Sequence, residues 1–333
     1  MPELSCFIIK PNAPFHIGER GVGLEETSTT VHSDTLFGAI CWAWRLLYGE
    51  EELIALLDLF RHDQPPFLIS STFPFIGEIK TLPKPLHGLG LEGQEKSVRR
   101  AALVTHSIFQ NLAQGKSLQS PEYQIVRSDP GNIIATRDEA SSIQDMLSRA
   151  DASTPWTVGE ASRVTLDRDT RRSDIYYAGD VRFMKDCGLY MLVDFLDGGY
   201  KPRLEGALRL LGDEGLGGER SSGRGLFSLD YGSISLGSDE GDGAMLLSLC
   251  RPRREETAIL LRSYYGLISR RGWVAGKSDR RKKSVRMLIE GSVVPYPENL
   301  VGCMEDVSGE GTRKGKRILS YGLAFKAPMR MAE

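Results

Sequence analysis

The chain has 333 residues, 41% of them hydrophobic and 26% charged, with a formal charge of −2. These values suit a globular protein long enough for two compact domains. A free-standing, non-specific nucleic-acid binder is normally basic overall, so a pI near 6.3 confines any polyanion site to a local concentration of charge.

In chain order, residues 4–10 (LSCFIIK) form an apolar run of strand length, followed by a loop rich in Pro and Gly. Leu36, Phe37, Ile40, Trp44 and Leu47 recur at helical spacing, with Ser33 or Asp34 as a natural N-cap. A second helical run spans 51–60. Residues 67–76 read as extended, ending in Leu82-Pro83-Lys84-Pro85, and 96–113 have helical spacing. From 115 to 172 the chain turns polar and irregular, an insertion expected to be mobile on its own. Two strands are predicted within 174–195, around Gly188. A helix follows with Pro202 near its start, Leu204, Ala207, Leu208 and Leu211 on one face, and Gly212 at its end. An alternating strand at 226–236 completes the order strand, helix, strand, strand, helix, strand, that of a ferredoxin-like βαββαβ unit. After a linker at 237–243, a shorter and less regular half begins with a strand at 245–250 and a helix at 255–261. The predicted class is α+β: two ferredoxin-like (RRM-like) domains, 1–240 and 241–333, the second degenerate and the first carrying the insertion.

Five scattered cysteines, Cys6, Cys41, Cys187, Cys250 and Cys303, form no close pair and no Cys/His cluster of metal spacing. Buried, reduced thiols and no metal are expected. Lys10 and Pro11 interrupt the only N-terminal apolar run, and no stretch reaches the ~18 apolar residues of a membrane span. A cytoplasmic protein is expected, with no membrane partner and no cofactor.

Two segments carry chemistry. The first is Gly215-Leu216-Gly217-Gly218-Glu219-Arg220-Ser221-Ser222-Gly223-Arg224-Gly225, with five glycines in eleven positions. Glycine permits positive φ and close approach, and successive N–H groups in such a loop can form an anion-binding concavity. Arg220 and Arg224 add charge-assisted donors, and Ser221 and Ser222 add hydroxyls. The loop lacks the Gly-Lys-Ser/Thr ending of a Walker loop. It also leaves a helix and enters a strand, the reverse of a dinucleotide fingerprint. A flexible loop without ligand is the plain alternative. The second segment, 251–286, holds twelve basic residues against Glu255, Glu256 and Asp279, so the rest of the chain is acidic. Arg270, Arg271, Arg281, Lys282 and Lys283 are its candidate RNA contacts, with Tyr264, Tyr265 and Trp273 interleaved as stacking surfaces. For 280–283 a solvated charged loop is an equal alternative.

The loop at 215–225 resembles that of the RAMP superfamily of CRISPR-associated RNA-binding proteins, Gly-hydrophobic-Gly, five residues, Gly-x-Gly. Further segments are similar to the handle-capping subunit of type III-A (Csm) effector complexes: Pro14-Phe15-His16-Ile17-Gly18-Glu19; Val31-His32-Ser33-Asp34-Thr35-Leu36-Phe37-Gly38-Ala39; Lys84 between prolines; Val164-Thr165-Leu166-Asp167-Arg168-Asp169-Thr170; Ser269-Arg270-Arg271-Gly272-Trp273-Val274; Glu290-Gly291-Ser292-Val293; and Tyr321-Gly322-Leu323-Ala324-Phe325. The resemblance implies a non-catalytic subunit binding the 5′ repeat-derived handle of CRISPR RNA. It also implies contacts with a large polymerase/cyclase-type signalling subunit and with a backbone RAMP subunit. The loop 215–225 would then hold handle phosphates, with His16, Gly18 and Ser33 nearby and Lys84 and Arg168 as further contacts.

Some RAMP proteins cut precursor RNA with a histidine as general acid or base. His16 and His32 are the candidates here. No acid–base pair stands out, so a binder is expected, with the endoribonuclease as the alternative.

Overall fold

The computed structural model describes residues 3–18, 27–87, 91–92, 95–116, 118–119, 122–166, 173–237, 241–274, 277–296, 300–309 and 317–331. Arg168 and Glu19 lie outside them. The chain is α+β, built on one large mixed sheet. Its first strand, β1 (Leu4–Pro11), leads to α1 (Ser33–Tyr48) and α2 (Glu50–Arg61). α1 buries Leu36, Phe37, Ile40, Ala43 and Trp44, the stripe its spacing predicts. The cap differs from expectation: His32 holds the N-cap position without a side-chain capping bond, and Ser33 is the first helical residue. Gly49, at φ +93°, separates the two helices and donates its N–H to the Arg45 carbonyl.

Strands β2 (Phe67–Ile69), β3 (Phe73–Ile76) and β4 (Ile79–Pro83) follow. The helix predicted over 96–113 is instead α3 (Glu95–Arg100), strand β5 (Ala101–Thr105) and α4 (His106–Ala113). Thr105 breaks the helix because its hydroxyl caps α4, accepting from the Ile108 N–H. The segment expected to be an irregular insertion is also ordered over most of its length. It supplies β6 (Tyr123–Val126), β7 (Asn132–Thr136), α5 (Arg137–Arg149) and the hairpin β8 (Trp156–Leu166) with β9 (Ser173–Phe183). Thr136 and Glu139 form a capping box at the start of α5. Ala140, Ile143 and Leu147 then anchor that helix while its other faces stay polar. Tyr123, Ile133, Ile134 and Trp156 join the core. The polar composition reflects solvated outer faces, not the lack of an inner one, so the expectation of an irregular segment fails over its described residues.

Strand β10 (Cys187–Phe195) leads through α6 (Lys201–Glu214) to β11 (Phe227–Ile234). The turn between β9 and β10 falls at Asp186, φ +62°. Gly188 lies inside β10, where a Cβ would stand 2.5 Å from the Ile9 carbonyl oxygen. Gly212 is likewise not the end of its helix: it lets α6 close onto β11, and Gly215 is the C-cap. The large sheet runs β11-β1-β10-β3-β4-β5-β7-β6, with β2 also on β10. All its pairs are antiparallel except β5 with β7.

The last ninety residues contain β12 (Gly243–Leu246), β13 (Leu267–Arg270), β14 (Trp273–Val274), β15 (Lys277–Arg281), β16 (Val285–Leu288), β17 (Val293–Pro295) and β18 (Lys326–Met329). β17-β12-β18 form a small sheet, while β13 to β16 form one nested basic hairpin. The helix expected over 255–261 is a 3-10 run from Arg254 to Arg262. This region packs into the same core as the first: Met245, Leu247, Val293 and Phe325 cluster with Phe73, Tyr190 and Leu192. The five cysteines are free thiols, three of them buried. Burial pushes Cys6 up to about 11 and Cys41 and Cys187 up to about 12, which makes them poor nucleophiles. Among the described residues no helix is long and apolar enough to cross a membrane.

Candidate nucleic-acid interface

Three elements far apart in sequence enclose a cavity of about 320 Å³. One wall is the loop 215–220. A second is the first turns of α1, from Asp34 and Thr35 to Gly38 and Ala39. The third is the basic hairpin, with Arg270, Arg271, Gly272, Lys282 and Lys283, and Ile17 and Gly18 line the space between.

The glycine-rich loop is docked, not splayed. The Gly218 N–H donates to the His16 carbonyl at 2.8 Å, Gly225 to Pro14 at 2.9 Å and Leu216 to Gly225 at 2.9 Å. Gly215, Ser222 and Gly223 also donate within the chain. Six of the loop's N–H groups are therefore committed, which removes most of the amide concavity expected from the sequence. The glycines serve close approach instead. Gly217 sits at φ +102°, and a Cβ there would stand 2.4 Å from the His16 carbonyl oxygen. Glu219, itself at φ +55°, precedes a tip at 220–222, where Ser221 and Ser222 are exposed.

The two loop arginines separate. Arg220 is exposed and lines the cavity, its guanidinium 4.5 Å from the centre of the Trp42 ring, a cation–π contact that orients it. Arg224, expected as a second exposed phosphate donor, is 6% exposed and ion-paired with the equally buried Asp180 of β9. It is a structural residue because a desolvated guanidinium needs a carboxylate more than the loop needs a second surface charge. His16 lies beside it, 4% exposed, with Nδ1 donating to the Gly179 carbonyl at 2.8 Å. The ring thus sits beneath Gly218, where a Cβ would approach its Cδ2 to 2.6 Å.

Other expected contacts stand elsewhere. Ser33 is fully buried; its N–H donates to Ser71 Oγ at 2.8 Å, and its Oγ accepts from the Leu249 N–H at 3.0 Å. Lys84 donates to the carbonyls of Val98 and Arg99 at the end of α3, with its amine lowered by burial. Arg270 is buried against Asp34. Arg271, Lys282 and Lys283 line the cavity, whereas Arg281 is exposed outside that lining. Asp34, Thr35, Gly38 and Ala39 were missed as groove residues. The available signal was a pair of small residues one turn before Trp42 in an otherwise bulky helix.

His32, the second histidine candidate, is held in a buried pair, its Nδ1 2.8 Å from Glu290 Oε1, which Ser71 Oγ also contacts. Burial works against the charged imidazole, but Glu290 lifts His32 above its ordinary 6.5. Burial would likewise raise Glu290, yet His32 and Ser71 hold it below its ordinary 4.5. A raised histidine stabilises the fold fully below 6.5 and loses that contribution as pH climbs through its folded pKa. A depressed carboxyl stabilises above 4.5 and loses it as pH falls through its own. The stability gap between wild type and Glu290→Gln is therefore expected to peak between these limits and shrink on both sides. Urea unfolding at a series of pH values checks this, and a gap independent of pH contradicts it.

The sequence model of the RAMP superfamily matches residues 9–228, and that of the CRISPR Csm4 C-terminal domain matches 239–329. The chain belongs to the RAMP superfamily, and its C-terminal part is similar to the Csm4 C-terminal domain. Its relatives include the CRISPR system Cms protein Csm4 of Thermococcus onnurineus, 29% identical over 100% of this chain and 99% of the relative. The Csm4 protein of Methanocaldococcus jannaschii is 24% identical over 92% and 89%. Among solved structures, the fold is similar to a chain of a Csm3-Csm4 subcomplex from a type III-A interference complex, at TM-score 0.70 and 19% identity, covering 98% and 99% of the two chains. A chain of a Csm1-Csm4 cassette in complex with cA4 matches at TM-score 0.64 and 21% identity, covering both chains fully.

Proposed function

We propose that this chain is the non-catalytic subunit of a type III-A CRISPR effector complex that grips the 5′ repeat-derived handle of CRISPR RNA in antiviral defence. The observation that carries the reading is the groove itself, where the glycine-rich loop of the RAMP portion faces the basic hairpin of the Csm4-type C-terminal portion. Arg220, Arg271, Lys282 and Lys283 converge there on a space suited to a phosphate backbone. The names of the similar structures favour joining a Csm1-type large subunit to a Csm3-type backbone subunit. The β11-β1-β10-β2/β3 order, with α1 and α6 as crossovers, supports a ferredoxin-like first domain over 1–240. The domain 241–333 is then a degenerate counterpart that shares its core.

Binding without cleavage rests on the histidines. His16 has Nδ1 committed to a backbone carbonyl beneath the loop, and His32 is paired with Glu290, which supports binding over general acid–base chemistry at either ring.

The test is a titration of wild type and the Arg220→Ala/Lys282→Ala/Lys283→Ala variant with handle RNA at several salt concentrations. Charge-assisted phosphate bonds contribute about 1.5–3 kcal/mol each before screening. The variant is expected to bind at least about tenfold more weakly with a shallower salt dependence. Equal affinity and slope would remove the groove as the phosphate site. Metal-independent cleavage of repeat RNA that His16→Ala abolishes would favour the endoribonuclease instead.

A further inference from the structure

We propose that the Asp34–Arg270 ion pair is a positioning clamp that sets the width of the groove by holding the basic hairpin against the first turn of α1. This rests on the reading of the groove as an RNA site.

Arg270 has the composition of a phosphate contact but not the placement of one. Its Nε donates to Asp34 Oδ2 at 2.9 Å, and one Nη donates to Asp34 Oδ1 at 3.1 Å and to Thr35 Oγ1 at 2.8 Å. The two side chains are 6% and 11% exposed. Such a fork fixes the guanidinium in orientation as well as distance. Burial alone would raise the Asp34 carboxyl, but the charge and hydrogen bonds of Arg270 hold it below its ordinary value.

The position of the pair in the chain turns this local bond into control of the groove. Arg270 ends β13 and is followed at once by Arg271 and Gly272, both groove residues. The Gly272 carbonyl accepts from the Lys282 N–H at 2.8 Å, and the next N–H, of Lys283, donates to Val307 at 2.9 Å. A displacement of Arg270 therefore carries Arg271 with it and, through Gly272, the two lysines. On the opposite side, Asp34 is rigidly placed: it lies in the first turn of α1, two residues after His32, which is tied to Glu290. Residues 32–35 thus hold the C-terminal portion at two points.

Attraction for a polyanion gives no reason for this carboxylate, although an acid in the first turn suits the helix dipole. Asp34 is an acid in the wall of a groove whose other charges are basic, and by charge count it weakens the attraction for a polyanion. A buried pair is also a poor source of net stability, because desolvation offsets most of the attraction. Geometry accounts for it: a bidentate pair holds the hairpin at one separation from α1, where a flexible lysine wall by itself would not.

The two views predict opposite signs for Asp34→Asn. If Asp34 acts through charge, removing it tightens handle binding. As a clamp, removing it weakens binding by about tenfold, within the range of coupled contacts. The clamp also predicts non-additivity. Lys282→Ala/Lys283→Ala, costly in wild type, should cost less than about twofold in the Asp34→Asn background, since the lysines are already misplaced. A merely stabilising role would leave the lysine effect unchanged in molecules kept folded well below their melting temperature. The exchanged pair Asp34→Arg/Arg270→Asp should recover most of the affinity, and it serves as the readout if Asp34→Asn does not fold.

Binding by Asp34→Asn as tight as wild type, or an undiminished lysine effect, overturns the clamp. If wild type does not bind handle RNA, it is the reading of the groove that fails. Hydrogen exchange of the free protein then decides the clamp: faster exchange across 270–285 in Asp34→Asn supports it, and unchanged exchange overturns it.

Discussion

Arg224→Ala is expected to destabilise the protein by about 3–5 kcal/mol, the cost of stranding a buried partner charge, while leaving RNA binding by the folded fraction close to wild type. Asp180 is 3% exposed beside Arg224, and its other ion-pair partner, Arg182, sits at the longer distance of 3.6 Å with a mostly exposed, solvent-screened guanidinium that compensates little of the loss. Arg220→Ala should show the reverse pattern: a melting temperature within a degree or two of wild type and weaker, less salt-dependent binding, because its guanidinium stands at the surface over Trp42. Thermal melts and handle titrations of the two single variants check both halves. An Arg224→Ala protein that melts like wild type and binds RNA poorly would return that arginine to the RNA surface.

Gly217→Val is the second large effect. At φ +102° with 2.4 Å to the His16 carbonyl oxygen, a branched side chain meets both backbone strain of about 1–3 kcal/mol and a backbone atom that cannot step aside. The loop must lift from residues 14–16, losing the Gly218 and Gly225 bonds that dock it. Handle affinity should fall by more than about tenfold with little change in salt slope, since no charge is removed. Gly223→Ala supplies the contrast. It has a similar positive φ of +74°, but open space around its Cβ, so only the left-handed penalty of about 1–2 kcal/mol applies and binding should hardly change. Equal behaviour of the two variants would mean that the loop's docking does not shape the site.

Much of the architecture was legible in order and spacing. The stripe of α1, the helix opening near Pro202, the alternating strand after the loop and the spacing of the loop's glycines are all local patterns. Local physics, such as side-chain periodicity and the φ demanded of glycine, writes them directly into the chain. The helix assumed across 96–113 failed because the hydroxyl of Thr105 reads only as a mid-helix residue until its N–H partner is known. The polar stretch 115–172 failed because a few buried residues, Ile143, Leu147 and Trp156 among them, suffice to anchor elements whose other faces are wet.

For the groove, the sequence by itself determined which residue types were at hand: two loop arginines, a basic segment at 251–286 and a glycine-rich turn capable of close approach. Only the tertiary structure decided which of those charges face the cavity. Arg220 and Arg224 stand four residues apart and read alike, yet one lies over Trp42 and the other is buried on Asp180. Arg270 and Arg271 are adjacent, yet the first is spent on Asp34, 236 positions away. The physical reason is that a guanidinium goes to the nearest carboxylate that can compensate its desolvation, and that distance is a property of the folded chain, which a list of charges does not contain.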